Sequence, residues 1–230
     1  MSDAPPMSDA PKVRATSALS VTRVTRLRVA KTTRVTVLFA DLRGYTGLAE
    51  RLAPARIVPL LDEFFSVLAA ATTLHGGQVF HMAGDGIMAG FGMNDPARDG
   101  AREALDAGHT MVQNFAPIAA RWRCELSIET GIGVGLHLGE VALGLFGPPR
   151  QRHTTLVGDT VNVAARLCGR ARAGEVLLSC TVAAALEAER VQSGPAPKPI
   201  PFLQLPRFEL RGRSAPLDIW CVPATERLAF

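Results

Sequence analysis

Lysine, aromatic side chains and long uncharged apolar runs are all scarce in this chain. Lysine occurs only at Lys12, Lys31 and Lys198 although Lys and Arg together number 25, and Phe, Trp and Tyr make up 6% of the 230 residues. No stretch of 18 residues is continuously apolar and free of charge, and the opening MSDAPPMSDAPKVR has no apolar core of the signal-peptide kind. Neither a helical membrane span nor a secretory leader is expected, so the chain reads as cytoplasmic, or as a cytoplasmic part of something larger. The four cysteines, Cys124, Cys168, Cys180 and Cys221, lack a CxxC pair or metal-ligand spacing. They read as reduced, mostly buried fillers.

What is present suffices for one hydrophobic core: 230 residues at 47% hydrophobic can fill a single domain with a tail to spare. Charge separates the two parts. Residues 1–34 carry seven Lys/Arg against two Asp, whereas the remaining 196 carry 18 against 19. The formal +4 therefore belongs to a basic tail over 1–33 and not to the domain. Its run TRVTRLRVAKTTR has no aromatic for base stacking, so a solvated linker is favoured over a nucleic-acid or lipid contact.

From residue 35 the chain alternates strand-like and helix-like patterns, which indicates an α/β or α+β domain. RVTVLFAD places Val35, Val37, Phe39 and Asp41 on one face of a strand whose last inward position is acidic. Residues 55–74 carry Ile57, Leu60, Leu61, Phe64, Phe65 and Leu68 at helical spacing, with Pro59 as a start or a kink. GGQVFHMAGDGIMAGFG, 76–92, reads as a hairpin with Asp85 at its turn, and 95–120 as a helix capped by Asp95. In TGIGVGLHLGEVALGLFG, apolar Ile132, Val134, Leu136 and Leu138 alternate with Gly131, Gly133, Gly135 and His137. One face of that strand is nearly bare backbone, which lets another element come close, and His137 on it reads as a packed or edge histidine. After the basic loop PPRQRHTT, a helix opens at LVGDTVNVAARL with Asp159 as its expected N-cap. Its expected core stripe is Val161, Ala164, Ala165 and Cys168, and Asn162 and Arg166 at i and i+4 share one edge. EVLLSC, a short helix over 181–189, a Pro-rich loop SGPAPKPIPFLQLP, and the strands FELRG and PLDIWCV close the domain.

Asp41 and Asp85 converge if their strands pair. Adjacent carboxylates repel unless a cation lies between them, and oxygen-only ligands favour Mg²⁺, Mn²⁺ or Ca²⁺. An Asp-Gly turn explains Asp85 alone equally well, but it does not explain Asp41.

These residues resemble the class III nucleotidyl cyclases, the adenylate and guanylate cyclase catalytic domains. The resemblance rests on VLFADLRGYTGL (37–48), GDGIMAGFG (84–92), GVGLHLGEVALGLFG (133–147) and LVGDTVNVAARL (156–167), with ELRGRSAPLDIWCV resembling the closing strands. Together they run in order from about residue 34 to 222 and are far more specific than any one alone.

The resemblance implies an α+β fold: a ferredoxin-like βαββαβ-type sheet with flanking helices, over 34–225, working as a head-to-tail homodimer. It implies conversion of ATP to 3′,5′-cyclic AMP and pyrophosphate. Asp41, Asp85 and the Leu42 backbone carbonyl would hold two Mg²⁺ or Mn²⁺ per site, and Asn162 and Arg166 of the partner would act on the nucleotide. The turn at Gly44, Tyr45 and Thr46, with Arg43 adding charge, would cradle the phosphates. Position 81 is the departure. Adenylate cyclases of this family usually carry lysine there, paired with Asp or Thr at 155 to read adenine; here the pair is His81 and Thr155. Guanylate cyclases usually carry Glu with Cys, Ser or Gly, which also differs. Spacing along a strand, about 13 Å over four residues, separates His81 from the metal role of Asp85. Two alternatives stay open: a catalytically weak regulatory domain, and a guanylate or relaxed-specificity cyclase. An upstream regulatory domain is a further possible partner.

Overall fold

The computed structural model describes residues 31–93, 98–148, 150–192, 202–209 and 216–223. Its sheet is centred on β1 (Lys31–Arg43), whose Val35, Val37 and Leu38 are fully buried. A short helix α1 (Tyr45–Arg51) and the long α2 (Pro54–Leu74) lead to the hairpin β2 (Gln78–Ala83) and β3 (Gly86–Phe91). Then come α3 (Ala101–Leu126), the 16-residue β4 (Gly131–Phe146), β5 (His153–Val157), α4 (Asp159–Arg170), β6 (Glu175–Ser179), α5 (Cys180–Gln192), β7 (Leu203–Phe208) and β8 (Leu217–Pro223).

The strands run in the order β2-β3-β1-β4-β6-β8-β7, with β5 paired to β4 off that path. Antiparallel pairing of β2 with β3, β3 with β1 and β1 with β4 gives the ferredoxin-like arrangement, and β6 joins parallel to β4. Alternation along β1 and β4 assigns the two faces. Leu38, Ala40 and Leu42 with Ile132, Val134, Leu136 and Leu138 meet the layer formed by α1, α2, α3 and α5. Val35 and Val37 face the opposite side, where Ala164 and partly buried Val161 of α4 pack.

That opposite side is where β4 is nearly bare, and α4 uses the space. A Cβ at Gly135 would lie 2.1 Å from the Cys168 nitrogen and 2.5 Å from the Ala164 carbonyl; one at Gly139 would lie 2.5 Å from Thr160 Oγ1. Glycine is required so that the helix backbone can rest on the strand backbone. His137, on the same face, is buried with its Nδ1 2.8 Å from Ser179 Oγ, a packed histidine as its position indicates.

Several local expectations are corrected. The third helix begins at Ala101 and runs to Leu126, not 95–120; Gly100 in the left-handed region precedes it, and Asp95 lies outside the described residues. Asp159 does not cap α4. It is the first helical residue, following Gly158, and supplies acid to the first turn, where the helix dipole favours it. The buried stripe of α4 is Thr160, Val163, Ala164, Leu167 and Cys168, because Val163 and Leu167 turn toward a second cluster with Leu177 and Ile219. Residues 203–206, expected as loop, form β7 (Leu203–Phe208) together with Arg207 and Phe208; of the expected strand FELRG only Phe208 belongs to it, and residues 210–212 lie outside the described residues. This strand lies at the sheet edge, the place where Pro206 costs no ladder bond, and its register shifts between Leu205 and Phe208. His153 to Thr155, expected as loop, belong to β5. Of the cysteines, Cys168 and Cys221 are buried, Cys180 is half-buried and Cys124 is exposed.

By length and composition α2 could span a membrane, with an 18-residue window of mean hydropathy 1.6. Here it packs Ile57, Phe64, Leu68 and Ala71 into the core, and Glu63 accepts a hydrogen bond from Trp122 Nε1 of α3. Pro59 sits inside the helix without ending it.

Candidate active site

Asp41 comes two residues before the end of β1, opposite Gly86 on β3 and Gly133 on β4. Bare backbone on both neighbours leaves its carboxylate uncrowded. The Leu42 N–H donates to the Asp85 carbonyl at 2.8 Å, which fastens the hairpin turn to the end of β1 and brings the second carboxylate beside the first. Asp41 Oδ1 is buried without a hydrogen-bond partner. Burial, then the Asp85 charge, raises the Asp41 pKa to about 6 against the opposing pull of Arg43; a hydrogen bond with Asp85 raises it further. Two carboxylates placed this way share a proton or accept a cation, and the orphaned oxygen fits a divalent ion.

The pair opens into a cavity of about 250 Å³ whose lining includes Asp41, His81, Ala83, Asp85, Cys168 and Gly169. Cys168 contributes a thiol and not a thiolate, since burial pushes its pKa up to about 12. Exposed His81, paired with Met88 just past a bulge in β2, therefore shares one cavity with the acids. Among the described residues no three His, Cys, Asp or Glu side chains cluster as metal ligands. A cation here would take two side-chain carboxylates from the chain and the rest of its oxygens from backbone carbonyl, substrate or water.

The other sequence candidates are not among the residues that line that cavity. Asn162 and Arg166 are exposed on α4, one turn apart, and neither lines it. Thr155 is half-buried on β5, opposite Gly144. Gly44 has φ +81, and a Cβ there would meet the Glu129 carbonyl at 2.9 Å, so only glycine makes this turn. Tyr45 and Thr46 then begin α1, whose N-terminus has no side-chain cap. Arg43 is turned over Gly133: its Nη2 donates to the Cys168 carbonyl at 2.8 Å and stands 3.5 Å from Asp41 Oδ2. The sequence reading missed this seat. Its signal was present, in the alternation that puts Arg43 on the same face as Asp41 and in the bare glycines facing it.

The antiparallel β2-β3-β1-β4 core carries Asp41 on its central strand and Asp85 at the adjoining hairpin turn, an arrangement in keeping with a nucleotidyl cyclase domain. Residues 27–215 match the Adenylate and Guanylate cyclase catalytic domain, and the chain belongs to that family. It is 34% identical to an adenylate cyclase of Anabaena cylindrica over 149 residues, 61% of this chain and 28% of that protein. Adenylate cyclase 1 of Rhizobium meliloti (strain 1021) is 28% identical over 204 residues, 87% of this chain and 29% of that protein. The chain thus spans under a third of the length of these curated relatives. Among solved structures, the adenylyl cyclase CyaB from P. aeruginosa superposes with a TM-score of 0.77 at 25% identity, covering 87% of this chain and 99% of that one. The guanylyl cyclase Cya2 superposes with a TM-score of 0.71 at 27% identity, covering 84% and 93%.

Proposed function

We propose that this domain is an adenylate cyclase, converting ATP to 3′,5′-cyclic AMP and pyrophosphate in a head-to-tail homodimer. The observation that carries the reading is the Asp41–Asp85 pair with its orphaned, buried oxygen. Asn162 and Arg166, exposed on α4 and outside the lining of that cavity, support a site completed by a second copy. The adenylate cyclases among the relatives support ATP as substrate.

In the reaction the ribose 3′-oxygen attacks the α-phosphorus, the bond to the β-phosphate oxygen breaks, and the hydroxyl proton leaves to solvent. Asp41 and Asp85, with the Leu42 carbonyl, would hold two divalent cations, Mg²⁺ or Mn²⁺. When bound, such ions lower the pKa of the attacking hydroxyl and offset the charge of the triphosphate. The partner's Arg166 equivalent stabilises charge on the phosphoryl oxygens through a charge-assisted fork, and its Asn162 equivalent orients the ribose. The uncapped backbone at Gly44, Tyr45 and Thr46 receives phosphate oxygens. His81 and Thr155 meet the base, where imidazole offers one donor or acceptor at each ring nitrogen.

Purified protein with Mn²⁺ or Mg²⁺ and either ATP or GTP, with products separated chromatographically, tests the reading. Cyclic AMP from ATP is expected. Cyclic GMP alone would overturn the substrate assignment, and no cyclic nucleotide under any condition would overturn the enzyme reading in favour of a regulatory cyclase-like domain, which the missing lysine at position 81 motivates.

A further inference from the structure

Arg43 makes contacts that bear on both halves of the proposed site. It follows Asp41 by two residues on one face of β1, and Thr130 Oγ1 donates to its carbonyl at 2.7 Å, which fixes its backbone. The side chain lies across Gly133, where a Cβ would come within 2.5 Å of Nε and 2.8 Å of Nη2. Nη2 reaches the Cys168 carbonyl at 2.8 Å and Cys168 Sγ at 3.5 Å, in the last turn of α4. A guanidinium there meets the negative end of a helix dipole and adds a second donor to a carbonyl that already accepts from the Ala171 N–H at 3.0 Å. The same nitrogen stands 3.5 Å from Asp41 Oδ2. Nε is buried without a partner, as is Asp41 Oδ1. One cation thus touches the acid that faces the cavity and the helix that carries Asn162 and Arg166.

We infer that Arg43 is a positioning residue: seated over Gly133, it fastens the end of α4 to Asp41 and opposes a divalent cation for that carboxylate. The inference rests on the metal role proposed for Asp41 and Asp85. It assigns the guanidinium a task inside the protein instead of on the triphosphate. Removing its charge strengthens cation binding, because a positive neighbour of Asp41 is lost. Removing its fork leaves α4 seated on Gly135 but loosens the orientation of its last turn, so that Asn162 and Arg166 are held less well for chemistry while the substrate still binds.

Two readouts on the full chain separate this from a simple phosphate contact. In the first, thermal unfolding is followed against Mn²⁺ alone for the wild type, Arg43→Gln and Asp85→Asn. The Arg43→Gln protein is expected to respond at about tenfold lower Mn²⁺ than the wild type, the scale of one unit charge acting on a divalent ion a few ångströms away. Asp85→Asn is expected to lose the response. In the second, Arg43→Gln is expected to lower kcat about ten- to a hundredfold, with KM for ATP changed less than about twofold. Arg43→Lys keeps the charge but not the planar fork, and it serves if the glutamine protein does not fold. It is expected to keep the wild-type Mn²⁺ midpoint and still lose kcat. An unchanged or weaker Mn²⁺ response in Arg43→Gln against a responding wild type would overturn the inference alone. So would a raised KM with unchanged kcat, the mark of a guanidinium that grips phosphate. A wild type indifferent to Mn²⁺ would overturn the metal assignment, and this inference with it.

Discussion

Two polar clusters lie on the same face of β4, four residues apart, and they differ in how they are satisfied. At His137, Nδ1 is 2.8 Å from Ser179 Oγ, Ser179 Oγ is 2.9 Å from Thr181 Oγ1, and Thr181 Oγ1 donates to the Leu138 carbonyl at 2.8 Å. Ser179 is fully buried and the chain of bonds ends on backbone. At Gly133, by contrast, Asp41 Oδ1 and Arg43 Nε are buried and unmatched, and a cavity opens beside them. A closed network joins β4, β6 and α5 and contributes to stability. Unmatched groups beside a cavity keep bonding capacity in reserve for a ligand. The difference between a closed polar network and an open one is thus visible along one face of β4.

The sharpest way to break the comparison is at the open cluster. Asp85→Ala is expected to cut turnover by about 10²–10³-fold or more, the scale of removing one preorganised electrostatic group, while size-exclusion chromatography still shows a dimer. Unchanged activity would show that the Asp41–Asp85 pair has no catalytic task. Arg166→Ala is expected to be similarly impaired. An equimolar, re-equilibrated mixture of the two variants is expected to recover about a quarter of wild-type activity, because half of the dimers are mixed and each mixed dimer keeps one intact site. If mixing restores nothing, each chain carries a complete site.

Smaller effects are expected on stability. Gly135→Ala places a Cβ 2.1 Å from a backbone nitrogen of α4 and is expected to cost about 3 kcal/mol, read by chemical denaturation. His109 offers a third kind of buried polar group: it is 4% exposed, neither ring nitrogen has a partner, and burial, with a smaller push from Arg102, lowers its pKa to about 4. Because the folded value lies below the ordinary 6.5, the unfolded chain binds more protons between those values. This contribution is whole above about pH 6.5 and is lost as the pH falls toward 4, by about 2–3 kcal/mol. His109→Met is expected to flatten that acid limb of the stability profile; an identical limb would mean that other groups produce it. Within the closed cluster, Ser179→Ala is expected to cost about 1–2 kcal/mol by leaving His137 short of a partner, with kcat and KM unchanged.

Much of this division was legible in the chain. Alternation gave β1 its acidic inward end, and the glycines of β4 announced that another element would press on the strand; the structure supplies α4 at that place. Pairing of Asp41 opposite Gly86 follows from a hairpin turn that the Asp-Gly pair marks locally. Contacts distant in sequence were harder to read. Alternation puts Arg43 on the glycine-lined face, but it does not name Cys168, 125 residues away, as the partner, and a formal charge beside a glycine turn reads naturally as a phosphate contact. The stripe of α4 was displaced because periodicity shows that a helix has a buried face but does not show that it packs against two clusters at once. β7 was hidden by proline, whose effect on a strand depends on whether the strand is an edge, a property of the sheet and not of the segment.

The backbone contact at Gly135 also has mechanical meaning. A helix seated on side chains can slip when a rotamer changes, but α4 rests on peptide groups, and nothing there can rotate out of the way. Its translation is therefore the translation of the sheet. In the proposed dimer, a signal that tunes the gap between one chain's α4 and the other's acids has to arrive as torque between two stiff plates, because a push on a single helix has no free travel to use.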